Sequence, residues 1–280
     1  MTKAGSNLDR DTVAGFGREW STFRQREEFS EADRAELFAR YFELFPWSDL
    51  PPQAVGIDIG CGSGRWALLV APRVQHLHLL DASAAALAVA KENLNDAANV
   101  SFHLASVEAI PLPDRSLDFA YSLGVLHHIP DTARGIGDIA RKLKPGAPFL
   151  VYLYYAFDNR PAWFRTVWRM SDVVRRVVSR MPERLHFAVT QAIAAIVYWP
   201  LARTAKWLER IGWLPATWPL SYYRNRSFYV MRTDAYDRFC TPLEHRFTRV
   251  QIEAMLRGAG FSRIRFLEAE PYWCAVAVRD

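Results

Sequence analysis

Cysteine is scarce in this chain. The three in 280 residues, Cys61, Cys240 and Cys274, stand at no paired spacing, which argues against both a disulfide framework and a zinc site. Such usage fits a reducing compartment. The sequence also lacks any run of 18 or more uninterrupted apolar residues, and its opening, MTKAGSNLDRDTVAG, has no apolar stretch of the kind that a secretory leader carries. The expectation is a cytoplasmic protein with neither leader nor spanning helix. Internal repeats are missing too. What is present is apolar bulk: 50% of the residues are hydrophobic, enough for one large core or two smaller ones.

Charge is modest in sum and uneven in place. The formal net charge is +5, but between Ala156 and Arg232 thirteen basic residues face four acids, Asp158, Asp172, Glu183 and Glu209. That stretch is +9 and the remainder −4. A basic segment of this kind meets something anionic, lies on a membrane surface, or is a solvated face.

Strand and helix signals alternate through the middle of the chain. The β-rich Val55 to Asp58, then HLHLLD, VSFHLA, LDFAYSL and APFLVYLYY, read as strands. Between them RWALLVAPRV, SAAALAVAKENLND and DTARGIGDIARKLKPG read as helices, the last capped by Asp131 and ended by Pro145-Gly146. Such alternation predicts an α/β fold with a doubly wound, mostly parallel Rossmann-like sheet. Four stretches follow: residues 1–50 as N-terminal lid helices, 51–155 as the core, 156–240 as an inserted helical cap after the fifth strand, and 241–280 as a return to the core. The cap, punctuated by prolines at 161, 182, 200, 215 and 219, holds six of the ten tryptophans. In the return, Thr248 caps a helix that stops at Gly258 to Gly260, and SRIRFLEAE with YWCAVAV predicts an antiparallel edge hairpin.

Ligands of open α/β sheets sit at the carboxyl ends of the strands, so the first strand-to-helix loop is the place to look. There the chain reads Asp58-Ile-Gly60-Cys-Gly62-Ser-Gly64. The missing Cβ atoms let backbone approach a ligand closely. The third glycine comes one residue earlier than in the dinucleotide fingerprint, and the preceding acid would repel a pyrophosphate but attract an ammonium group. Asp81 ends the next strand, where a carboxylate can accept from ribose hydroxyls. Two acids and a glycine ladder describe a ligand with a ribose and a cationic amino-acid tail.

With these residues, and with ASVEAIPLPDRSLDFAYSLGVLHHIPD and LKPGAPFLVY, the chain resembles class I S-adenosylmethionine-dependent methyltransferases over residues 51–155 and again 247–280. The resemblance implies S-adenosylmethionine as cofactor and S-adenosylhomocysteine as product. It implies that Gly60 and Gly62 lie along the methionine part, that Asp58 orients the loop and the amino group, and that Asp81 binds the ribose. Ala82 would lie against the adenine, with Ser106, Val107 and Glu108 at its edge, the amide of Val107 making the contact. Leu123 would border the carboxypropyl group, and FGREWSTF, Phe16 to Phe23, would be a lid helix with Trp20 closing over the cofactor. Family members commonly have Asp where Ser106 stands, which weakens that one contact or passes it to the serine.

Methyl transfer needs alignment, and a base only where the acceptor must lose a proton. His127 and His128, after the fourth strand, are the candidate bases; both could instead simply shape the loop. Nucleobase-amine enzymes carry [DNS]-P-P-[YFW] where this chain has Ser122-Leu-Gly-Val, and no Pro-Cys occurs for cytosine-5 chemistry, so nucleic acid is argued against as acceptor. Basic and aromatic helices within Leu185 to Leu220 could roof an acceptor pocket or lie in a membrane interface, placing the protein on the inner membrane face. Tyr223, Arg226 and His245 are singled out as acceptor-binding residues, against a reading in which such groups fasten the cap. The function expected is methylation of a small molecule, at a hydroxyl of a partly apolar or lipid-like acceptor. A sugar or secondary metabolite as acceptor, a cap that binds RNA, and a cofactor-binding protein without turnover remain open, as does the oligomeric state.

Overall fold

The computed structural model describes residues 6–22, 31–215 and 217–280. The chain divides into two compact units, residues 1–158 with 243–280, and residues 159–242.

In the first unit the order is α1 (Arg10–Thr22), α2 (Glu31–Tyr41), β1 (Val55–Ile59), α3 (Ala67–Val70), β2 (His76–Asp81), α4 (Ala84–Asn93), β3 (Val100–Leu104), β4 (Phe119–Leu123), α5 (Thr132–Lys142) and β5 (Pro148–Tyr152). The strands form one seven-stranded sheet that is completed after the second unit by two antiparallel strands, giving the order β3-β2-β1-β4-β5-β7-β6, with β6 at Phe261–Phe266 and β7 at Ala275–Arg279. The five N-terminal strands are parallel. The expected hairpin is present, its second strand against β5 and its first at the edge.

Interior strands are apolar on both faces because both are covered. Ile57, Ile59, Ala120, Phe149 and Val151 meet Ile136 and Ile139 of α5 in one layer, whereas Leu77, Leu79, Phe119, Tyr121 and Leu150 meet Val70, Leu87 and Ala90 of α3 and α4 in the other. Full burial of side chains such as Phe149 and Leu79 stabilises by roughly 1.5–3 kcal/mol each. Gly56 is where β1 lies close under β4: a Cβ there would sit 2.1 Å from the Phe119 ring.

Helix signals held where a cap enforced them. Ser83 accepts from the amide of Ala86, Asp131 from that of Arg134, and Thr248 forms a capping box with Gln251 ahead of the helix at Arg249–Gly258. The helix expected over RWALLVAPRV is cut to the four residues of α3, followed by a 3-10 turn that contains Pro72.

The second unit contains α6 (Ala162–Val178), α7 (Glu183–Ile193), α8 (Trp199–Arg210) and α9 (Phe228–Cys240); the helix at Arg249–Gly258 is α10. Val178, Ala194, Tyr198, Ala202, Met231, Ala235 and Phe239 form its small core. A buried ion pair within α6, Arg175 to Asp172 at 2.7 Å, also reaches the end of α9, where Arg175 Nη1 donates to the Thr241 carbonyl at 2.8 Å. Pro200 does not separate helices, contrary to expectation. Ala194–Tyr198 is a π-helical turn, so the chain is helical without a break from Leu185 to Arg210. That helix, 26 residues, is long and apolar enough to cross a membrane by length and composition alone, although polar residues such as His186, Thr190 and Gln191 interrupt its apolar run.

Candidate functional site

Chain order reverses between β1 and its neighbours β2 and β4, so the carboxyl end of β1 is the switch point of the sheet. Four segments converge there: the loop after β1, the tip of β2, the turn after β3 and the turn after β4.

The loop after β1 is held in a shape that favours glycine. Gly60, Gly62 and Gly64 all have positive φ, at 73°, 53° and 75°. At Gly60 space forbids a side chain as well, since a Cβ would lie 2.4 Å from Val125 of the turn after β4. The amides of Gly60 and Cys61 both donate to the Leu80 carbonyl, at 2.7 and 3.1 Å, which fastens the loop to β2.

Asp58 is buried beneath this loop, and its Oδ2 has no hydrogen-bond partner. Burial pushes its carboxyl up from 3.8 to about 8, the nearby Asp81 adding to the rise while Tyr121 and Arg65 oppose it. A buried carboxyl with one oxygen left unpartnered is costly unless a cation completes it.

Asp81 is differently placed. Its Oδ2 accepts from the Gly62 amide at 2.9 Å and its Oδ1 from the Ser83 amide at 2.8 Å. Burial raises its carboxyl above the ordinary range, and the amides of Ser83, Gly62 and Ala82 pull it back. A carboxylate offers about four acceptor directions, so capacity for hydroxyl donors is left.

Beside Asp81 lies an open groove of about 470 Å³, walled by Leu8, Arg10, Val13, Ala14 and Gly17 on one side and Ala82 to Ala85 on the other. The N-terminal helix therefore does border the ligand edge of the sheet. Gly17 permits the approach, since a Cβ there would lie 2.9 Å from Ser83 Oγ. Phe16 meets the His128 ring edge-on at 5.0 Å. Trp20 belongs to α1, but its side chain lies outside the described residues.

After β3, Ser106 precedes the short helical turn Val107–Ala109 without capping it, and Val107 is buried. Glu108 is engaged elsewhere: it accepts from Ser6 Oγ at 2.8 Å and from the Asn7 amide at 2.7 Å, so its carboxylate holds the segment before α1 rather than facing a ligand. Asn7 in turn exchanges two hydrogen bonds with the backbone of Asp131, at 2.9 and 2.7 Å. This clasp is missed by sequence reasoning, because no local pattern links residues a hundred positions apart.

Leu123 ends β4, and the two histidines follow as neighbours with ring centroids 4.0 Å apart. Their hydrogen bonds distinguish them. His127 stacks on Tyr154 at 3.8 Å and its Nδ1 accepts from the Tyr154 amide at 3.4 Å, which puts the neutral ring's proton on Nε2; that atom is buried without a partner. Burial, aided by His128, Arg246 and His245, holds His127 neutral far below 6.5. His128 instead points Nδ1 at the Leu243 carbonyl, 2.7 Å away, so this nitrogen is the donor and Nε2 carries the lone pair. His245 is joined to the pair by its amide, which donates to the His127 carbonyl at 2.9 Å, and its own Nε2 is buried without a partner.

The other two acceptor candidates belong to the helical unit. Tyr223 is half-buried there against Tyr198 at 5.3 Å, and the desolvation of its hydroxyl together with the neighbouring Asp234 raises that group far above the ordinary range. Arg226 lies over the Tyr222 ring at 5.4 Å, and its carbonyl accepts from Arg203. Tyr223 is thus partly engaged in that unit's packing.

Residues 57–151 match a family profile described as "Methyltransferase domain". Phosphoethanolamine N-methyltransferase 2 of Caenorhabditis elegans is 32% identical over 111 residues, 39% of this chain and 25% of that protein. The uncharacterized methyltransferase YcgJ of Bacillus subtilis is 33% identical over 105 residues, 37% of this chain and 42% of that protein. The chain thus spans less than half the length of either relative. Among solved structures, the CurJ carbon methyltransferase has a TM-score of 0.53 at 15% identity, covering 97% of this chain and 61% of that one; the likeness is one of fold.

Proposed function

The core of this chain is a class I S-adenosylmethionine-dependent methyltransferase domain, and on that premise we propose that the protein transfers a methyl group from S-adenosylmethionine to a small molecule, at a hydroxyl of a partly apolar acceptor. One observation carries the cofactor reading: the buried, unpartnered Oδ2 of Asp58 at the sheet's switch point, with Asp81 bonded to the glycine loop beside it. The residues present fit the cofactor. When bound, it would supply an activated methyl on a sulfonium.

The roles of the chain's own residues follow from their surroundings. Asp58 gives up its proton and holds the cationic amino-acid tail, which offsets the cost of its burial. Asp81 accepts from the ribose hydroxyls with the capacity that the Gly62 and Ser83 amides leave over. The positive-φ backbone at Gly60 and Gly62 allows close approach along the methionine part. Ala82, small and on the groove wall across from Val13 and Gly17, leaves room for a flat base, with the Val107 amide and Ser106 at its polar edge; Leu123 borders the carboxypropyl chain. Glu108 acts at one remove, by holding the segment that leads into α1.

The two histidines divide the work. His128, whose Nε2 carries the lone pair, takes the proton from the acceptor hydroxyl, and the Leu243 carbonyl fixes its tautomer. His127 is a neutral donor that orients the acceptor oxygen through Nε2–H. His245 lies in the same polar cluster and contributes a further contact. That the acceptor is a small molecule is supported by the relative named for phosphoethanolamine N-methylation. The direct test is calorimetric titration with S-adenosylmethionine and S-adenosylhomocysteine, then a screen of hydroxylated acceptors with labelled methyl; binding of neither nucleoside overturns the reading.

A further inference from the structure

In a helix that only packs into a core, apolar residues face inward. Helix α6 departs from this. Its inward face is formed by Asp172, Arg175 and Val178, all buried. A second apolar stripe is turned out: Trp163, Val167, Met170, Val174 and Val177 are 49%, 51%, 67%, 47% and 55% exposed. Their spacing, i, i+4, i+7, i+11, i+14, is one continuous line along the helix. Arg165, Arg169, Arg176 and Arg180 are exposed along one flank of that line.

The same unit repeats the pattern. No Asp, Glu, Lys or Arg occurs from Leu185 to Ala202, yet Leu185, Ile196 and Trp199 are exposed there, and Trp207 and Trp213 follow at 58% and 77%. Arg203, Lys206 and Arg210 stand at the far end. One face of the long helix is not available to lipid, because Ala194, Tyr198 and Ala202 are built into the unit's core against Met231 and Phe239. A span exposes apolar residues all round; a helix in the interfacial plane exposes one side.

We propose that residues 159–242 dock on an anionic lipid bilayer, with the α6 stripe entering the headgroup boundary and the arginine flank meeting anionic headgroups. Charge selects this occupant. Across 159–242, fourteen basic residues stand against five acids, whereas a second copy of the chain would bring the same positive charge to the contact. Tryptophan, at Trp163, Trp199, Trp207 and Trp213, suits the headgroup level, where an apolar ring with one polar edge is best accommodated. This docking does not depend on methyl transfer.

The test is flotation of the full chain with phosphatidylcholine vesicles, with and without phosphatidylglycerol, beside sedimentation equilibrium of the protein alone. The chain floats with anionic vesicles, floats far less with neutral ones, and is released by salt. Replacing Arg165, Arg169 and Arg180 by Gln lowers partition by on the order of a hundredfold at low salt. Met170→Glu with Val174→Glu, at exposed positions that the unit's core does not use, abolishes flotation while the thermal transition is kept. No flotation, or flotation that neither change affects, overturns the proposal. A dimer that the M170E, V174E variant dissociates, with no vesicle binding, also overturns it and makes the stripe a contact between copies.

Discussion

Asp81 Oδ2 accepts the backbone amide of Gly62 at 2.9 Å, which makes the acid at the tip of β2 and the glycine loop after β1 a single hydrogen-bonded unit. The ribose-facing group therefore also sets the loop's shape. Asp81→Ala removes the acceptor of the Gly62 and Ser83 amides, and is expected to cost the free protein about 1–3 kcal/mol and to weaken S-adenosylmethionine binding by at least about tenfold. Asp81→Asn keeps one acceptor oxygen and falls between. Denaturant melts paired with titration calorimetry check both; unchanged affinity in Asp81→Ala would disprove the ribose assignment.

Asp58 predicts a pH dependence whose sign is fixed. Its folded carboxyl is raised from 3.8 to about 8, so the folded state holds a proton that the unfolded state releases. Below 3.8 both states are protonated and no penalty exists; as pH rises from there to about 8 the ligand-free protein loses stability. A cationic ligand reverses the preference, so its affinity rises with pH, by up to about tenfold per unit, and levels off near 8. Asp58→Asn is expected to raise the melting temperature of the free protein at pH 7.5 and to flatten the affinity profile. A profile of unchanged slope in that variant would contradict this account.

For the histidines the expected outcomes differ. His128→Gln lowers kcat by about 10²- to 10⁴-fold, the range of a lost base. His127→Gln, which keeps a donor, retains most activity, whereas His127→Phe raises KM for the acceptor with a smaller effect on kcat. Steady-state kinetics on a hydroxyl acceptor separates these. Full turnover in both His128→Gln and His127→Phe would leave alignment alone as the mechanism.

The helical unit depends on the Arg175 guanidinium. Arg175→Ala leaves the Asp172 carboxylate buried without that partner and frees the Thr241 carbonyl, so the unit is expected to lose about 3–5 kcal/mol. Limited proteolysis within 159–242 reads this out. Arg176, paired to Asp172 at 2.9 Å but exposed, costs less than about 1 kcal/mol when changed to Ala.

Much of the core was legible in the sequence because local rules and global fold agree there. Alternating apolar runs marked β1 to β5, Ser83, Asp131 and Thr248 marked helix starts, and the glycines marked the loop whose backbone has positive φ. What was not legible was decided by backbone geometry and by partners that local patterns do not carry. Pro200 reads as a break until the π turn before it removes the conflicting hydrogen bond. The engagement of the Glu108 carboxylate by Asn7, distant in sequence, has no local signal. For Tyr223 the sequence offers an acceptor contact or a cap fastener, and its packing against Tyr198 is visible only in the structure. The outward stripe on α6 follows ordinary helical spacing, and only exposure distinguishes it from a core face.

The account rests on S-adenosylmethionine binding at the Asp58 to Asp81 site, and one calorimetric titration tests it most directly. At pH 7, in two buffers of different ionisation enthalpy, the wild-type chain should bind with release of close to one proton, and Asp58→Asn should bind more weakly with almost none. Absence of binding by a cooperatively melting wild-type protein, or proton release that Asp58→Asn leaves unchanged, would contradict the assignment.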